Sequence, residues 1–160
     1  KLREERAPFA GELSGHMFFA DNFYGHDDEA YATLRLLAYL TRVGKSLDQV
    51  VDELPKYHSS PEIKVGCPDN IKFRMVTDGI AKDLKAIYPT ASYVEIDGVR
   101  FDTEDRTAVI RASQNGPYLT IKYEAKDPKG FIELKKQISD ILHKYPEIDF
   151  KDGVNTDGVE

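Results

Sequence analysis

The fold turns on one stretch: Thr107-Ala108-Val109-Ile110-Arg111-Ala112, then Ser113-Gln114-Asn115-Gly116-Pro117, then Tyr118-Leu119-Thr120-Ile121-Lys122-Tyr123-Glu124. Two β-rich runs flank a cluster of polar residues, glycine and proline, the signature of two strands joined by a loop. In the second run Leu119, Ile121 and Tyr123 alternate with Tyr118, Thr120, Lys122 and Glu124. One face of that strand should therefore be covered and the other wetter. Downstream, Asp127-Pro128 reads as an N-cap with proline at the first helical position. The helix that follows carries Phe131, Leu134, Ile138, Ile141, Leu142 and Tyr145 on one side. Upstream, 93–96 and 99–101 flank Asp97-Gly98, which predicts a hairpin with a type I′ turn. Before it, 62–66 reads as a strand. Asp69 is expected to cap a helix with apolar residues Ile71, Val76, Ile80, Leu84 and Ile87. The sum is an α+β domain over 61–145, a small antiparallel sheet with helices on one face.

Further out, 55–60 is rich in breakers and polar residues and reads as an interdomain linker. The first block, 1–54, has short apolar runs at 7–10 and 17–20 around Gly11 to Gly15, expected as two strands. His26-Asp27-Asp28 supplies cap candidates for a helix over 28–43. Its apolar residues, Leu34, Leu36, Leu37, Leu40 and Val43 among them, spread around most of the circumference, so the helix expects cover on several sides. Ser46-Leu47-Asp48-Gln49 is a capping box for a second, short helix. The acidic segment 146–160 reads as a flexible tail. Asp149 and Glu160 have the end-to-end spacing of a calcium loop, but Lys151, Gly153 and Val154 stand where ligands and a turn would be needed.

The 160 residues are 41% hydrophobic and 31% charged, a globular balance. The net charge of −6 disfavours nucleic acid as a partner, and an anionic ligand would need a local pocket. An RNA-binding α+β domain is disfavoured on the same ground, and for want of a basic aromatic face. No apolar run reaches the roughly 18 residues of a membrane span. The segment Lys1 to Arg6 has no apolar core behind it and does not read as a signal peptide. The single cysteine, Cys67, excludes an intrachain disulfide and fits an inert thiol in a reducing cytosol.

Two loops carry residues with chemistry. Gly11-Glu12-Leu13-Ser14-Gly15-His16 places a carboxylate, a hydroxyl and an imidazole at alternate positions, a set able to pair with a row of sugar hydroxyls. The same residues could simply satisfy one another in a strand connection. In the second loop, Arg111 offers a guanidinium fork that matches a phosphate. Ser113, Gln114 and Asn115 add neutral donors, and Gly116 lets backbone amides approach an anion. An ordinary polar hairpin loop is the competing reading.

Together the loops resemble the α-D-phosphohexomutases, the phosphomannomutase/phosphoglucomutase family. Gly11-Glu12-Leu13-Ser14-Gly15-His16 followed by a phenylalanine pair looks like the sugar-recognition loop of that family's third domain. Arg111-Ala112-Ser113, closed by Pro117, looks like the phosphate-binding loop of its fourth. The resemblance covers about 1–145. It implies that Glu12 and Ser14 hold sugar hydroxyls, with His16 close to the reacting groups. Arg111, Ser113, Gln114 and Asn115 would grip the phosphate that is not transferred. Family loops usually read Asn-Thr where Gln114-Asn115 stand, and Glu or Thr at Gly116. The hydrophobic Leu13 resembles the mannose/glucose enzymes more than the glucosamine ones.

The resemblance further implies a cytoplasmic enzyme of carbohydrate metabolism. It would interconvert hexose 1-phosphate and hexose 6-phosphate through a phosphoserine, with magnesium and glucose 1,6-bisphosphate as cofactors. Neither the family's phosphoserine loop nor its Asp-rich magnesium loop occurs in this sequence. No catalytic nucleophile and no metal ligand are therefore expected here, and 1–54 should be an incomplete α/β domain. That incompleteness predicts apolar surface on the first block that is poorly ordered or buried by self-association. A non-catalytic sugar-phosphate-binding or assembly domain is the alternative.

Overall fold

A computed structural model describes residues 2–12 and 15–159. It divides into two compact units, 1–55 and 56–160.

The first unit opens with a hairpin of β1 (Phe9–Gly11) and β2 (Met17–Phe19), in antiparallel register with Gly11 opposite Met17. α1 (Glu29–Val43) follows, with the Asp28 carboxylate accepting from the Tyr31 amide at 2.7 Å. α2 (Leu47–Asp52) comes next, opened by the expected capping box, in which the Ser46 amide donates to Gln49 Oε1 at 3.0 Å. Stacked and tilted rings hold the unit together. Phe9 packs on Phe19 at 4.9 Å, Phe19 on Tyr31 at 5.5 Å, and Phe23 stacks on Tyr31 at 4.1 Å. Arg35 lies 4.7 Å over the Phe19 ring and pairs with Asp21 at 3.0 Å. No residue of α1 is buried, so the cover that its sequence expects on several sides is not there.

The second unit is a seven-stranded antiparallel sheet: β3 (His58–Ser59), β4 (Ile63–Gly66), β5 (Ser92–Val94), β6 (Gly98–Asp102), β7 (Arg106–Ala112), β8 (Tyr118–Ala125) and β9 (Asp149–Val154). The path runs β5-β6-β7-β8-β4-β9, with β3 on the far end of β8. Register explains the core. Val99, Ile110, Ile121 and Ile63 form one row across four strands; Ala112, Leu119 and Val65 form another. All of these side chains are buried. The alternate residues of β8 are partly exposed, as its sequence pattern predicts. α5 (Pro128–Leu142) lies on β7 and β8, capped by Asp127, which accepts from the Gly130 amide at 2.9 Å. Between β4 and β5, α3 (Lys72–Arg74) passes into a π-helical turn, Met75–Ile80, and then α4 (Ala81–Ile87). The five-residue step from Ile71 to Val76 already departs from α spacing.

Four expectations change. The segment 146–160 is not a flexible tail: β9 pairs with β4, and Ile148 and Val159 are buried in the core. An acidic composition hid a strand whose few apolar residues complete the sheet. The linker ends earlier than 60, because His58 and Ser59 pair with β8 and the buried Ser60 hydroxyl accepts from the Tyr123 amide at 3.0 Å. Asp69 does not cap the helix; the Pro68 carbonyl takes the Ile71 and Lys72 amides, both at 3.1 Å. Finally, Asp97-Gly98 is not a two-residue turn. Val94 pairs with Arg100, and Gly98 is already in β6, without a positive φ. Its glycine serves close approach instead: a Cβ there would lie 2.5 Å from the Ile110 carbonyl oxygen.

Candidate functional site

The hairpin of the first unit carries Glu12 and His16 across from each other at the base of its loop. The Glu12 amide donates to the His16 carbonyl at 2.9 Å, and the Gly15 amide returns to the Glu12 carbonyl at 3.0 Å. Directly opposed residues in an antiparallel pair project to the same side. Gly15 has φ of +93°, the left-handed backbone that glycine adopts without strain. Glu12 and His16 are both exposed. Ser14 lies outside the described residues.

The structure adds a partner that the sequence did not single out. Asp27, read only as a cap candidate, accepts from the Met17 amide at 3.1 Å and meets His16 Nδ1 at 2.5 Å. The hydrogen bond and charge of Asp27 raise the His16 pKa above the usual imidazole value. A carboxylate on Nδ1 also favours the tautomer in which Nε2 is the proton acceptor. The signal that could have found Asp27 is the surplus of acids in His26-Asp27-Asp28, since one cap needs only Asp28.

His16, Asp27 and Glu29 have ligand atoms within 4.8 Å of one another, the one such group among the described residues. Magnesium prefers an octahedral shell of oxygens. This group offers an imidazole nitrogen among its three donors, so it does not fit that ion.

In the second unit, the turn between β7 and β8 is tightly held. The Ser113 amide donates to the Tyr118 carbonyl at 3.0 Å, and the Asn115 amide to Ser113 Oγ at 3.1 Å. Ser113 is buried, so its hydroxyl oxygen first serves the turn. Gln114 and Asn115 are exposed, and the amides of Gln114 and Gly116 have no partner among the described residues. Arg111 stands on the open face of β7 and pairs with Asp97 Oδ2 at 2.8 Å, both side chains about half exposed. An anion arriving at the loop would have to compete with Asp97 for the guanidinium. The arrangement supplies a fork, two unengaged amides and two carboxamides in one turn. Beneath it the Cys67 amide donates to the Pro117 carbonyl at 2.8 Å. Cys67 is buried against Met75, and burial pushes its thiol pKa up, in keeping with an inert role.

Residues 1–57 match the model of phosphoglucomutase/phosphomannomutase alpha/beta/alpha domain III. Similarity to proteins of that family extends beyond this segment, over most of the chain. A phosphomannomutase/phosphoglucomutase of Pseudomonas putida is 32% identical over 92% of the chain, and a phosphoglucomutase of Neisseria meningitidis 30% identical over 92%. A phosphoglucosamine mutase of Methanococcus maripaludis is 36% identical over 79%. The chain spans about a third of the length of these curated relatives: 32%, 32% and 28%. A crystal structure of a family protein from Burkholderia thailandensis superposes with a TM-score of 0.67 at 32% identity, covering 89% of this chain and 28% of that one. The fold is thus the family's mixed helix and antiparallel sheet. No helix among the described residues is long and apolar enough to cross a membrane.

Proposed function

We propose that this chain is the C-terminal portion of a cytoplasmic phosphohexomutase that interconverts hexose 1-phosphate and hexose 6-phosphate, and that its share of the work is binding. The observation that carries the proposal is the turn after β7, with the Arg111 fork beside the unengaged amides of Gln114 and Gly116. Arg111, Gln114 and Asn115 would hold the phosphate that stays in place, with Ser113 shaping the turn. Glu12 and Ser14 would take sugar hydroxyls. His16, oriented by Asp27, would receive or return the proton of a reacting hydroxyl through Nε2. Orientation of this kind supplies a large part of the barrier reduction in phosphoryl transfer. The phosphoserine, magnesium and the bisphosphate intermediate, glucose 1,6-bisphosphate, would act with parts of the enzyme outside this sequence. Leu13 favours mannose and glucose sugars over glucosamine, although both kinds of mutase are relatives.

The test is a titration of the ¹⁵N-labelled chain with glucose 1-phosphate and mannose 1-phosphate. Shifts at the amides of 111–116 are expected, without turnover. Arg111→Ala should weaken binding by about tenfold or more, since a charged hydrogen bond to phosphate is worth roughly 1.5–3 kcal/mol. Affinity unchanged within about threefold would remove Arg111 from the site. Turnover by the chain alone would overturn the division of labour.

A further inference from the structure

The anion loop has a support that its own residues do not reveal. Lys72, at the start of α3, is 4% exposed, rare for an ammonium group and costly unless it is paired. Its Nζ donates to the Gly116 carbonyl at 2.8 Å and meets Asp69 Oδ1 at 2.6 Å. The Gly116 carbonyl also accepts from the Tyr118 amide at 2.9 Å. The next peptide nitrogen belongs to Pro117 and has no hydrogen, so that carbonyl is the only polar group of its peptide unit. Left loose, it would bring a negative dipole into a loop meant for an anion. Engaged by Lys72, it is neutralised. With the Pro117 carbonyl tied to the Cys67 amide, the closing end of the loop is fixed to the segment 67–72 by two consecutive carbonyls.

We propose that Lys72 is a positioning residue of the anion loop: its buried ammonium fixes the Gly116 carbonyl and lends positive charge from beneath the turn. Asp69 offsets part of that charge, but its side chain is 69% exposed and screened by water. The ligand in question, a phosphate monoester, rests on the reading of Arg111 and its loop given above.

The experiment uses the ¹⁵N-labelled chain with Lys72→Met, which keeps length and removes charge, and Lys72→Arg, which keeps charge. Lys72→Gln replaces the methionine variant if that one does not fold. Amide exchange is read at Ser113, Asn115 and Tyr118, the hydrogen-bonded amides of the turn, against the core amides of Ile110 and Ile121. Inorganic phosphate and glucose 1-phosphate are titrated in parallel, with Arg111→Ala as reference. Lys72→Met is expected to speed loop exchange by about tenfold or more while the core amides hold. It should weaken phosphate binding about tenfold, as loss of a charged interaction implies, with most of the affinity restored in Lys72→Arg. A loop equally protected in Lys72→Met, or phosphate affinity within about twofold of wild type, overturns the proposal. Core amides loosened in step with the loop also overturn it, because Lys72 would then serve the fold at large. If wild type binds no phosphate while Lys72→Met still frees the loop, the phosphate role of Arg111 fails and the mechanical role of Lys72 stands.

Discussion

The two units solve the same problem with opposite means. In the second, strand register lines up Val99, Ile110, Ile121 and Ile63 under α5 and the π-helical turn, and each is within 1% of complete burial. In the first, aromatic rings and one arginine hold the hairpin to α1, and no described residue before Ser60 is fully buried. Leu34 is 65% exposed and Leu37 53%. The anion loop therefore stands on a rigid frame, while the hairpin with Glu12 and His16 stands on a frame that leaves apolar surface in water. Stability and site are separate properties here: the unit with the imidazole–carboxylate pair is the one with the thinner core.

The sharpest way to break this comparison is to excavate each unit. Phe101 is wholly buried and stacks on Tyr88 at 4.4 Å. Phe101→Ala should cost about 3–5 kcal/mol in urea unfolding followed by circular dichroism. A loss under about 1 kcal/mol would mean that the sheet is far looser than its register implies.

An intermediate effect is expected on α1. Because Leu34, Leu37 and Leu54 present an exposed apolar surface, the chain should self-associate with rising concentration. Replacing Leu34 and Leu37 together by glutamate should reduce that association in light scattering and change unfolding free energy by no more than about 0.5 kcal/mol per site. A wild-type chain that stays monomeric across the series would sink the expectation.

The smallest effect concerns pH. Asp27 raises the His16 pKa in the folded chain. A raised folded value means that the pair's contribution to stability is present below the unfolded imidazole pKa of about 6.5 and is lost as pH rises through the folded value. Asp27→Asn should bring the His16 titration, followed by its ring proton resonances, back toward the ordinary value. An unmoved titration would show that Asp27 does not govern His16.

Much of the second unit was legible because its signals are local. The alternation in 118–124 and the cap at Asp127-Pro128 carry their structural meaning within a few residues. The misreadings have a non-local cause. β9 is a strand only because β4 offers an open edge, so composition alone read it as tail. Gly98 is glycine because β7 passes close by, not because a turn needs it. Likewise the two loops were found from their own residues, whereas Asp27 and Lys72 reach theirs from 11 and 44 positions away. Side chains that act across the fold leave no periodic trace.

The single cysteine has a use of its own. Cys67 lies 2% exposed directly beneath Pro117, and its backbone is tied to that residue. A thiol reagent can reach it only when this corner opens, so the rate of labelling counts openings of the floor under the loop. The chain thus carries an internal clock for the breathing of its anion loop, readable without adding any probe to the sequence. Because burial also suppresses the thiolate, the clock reports rare excursions and ignores surface motion.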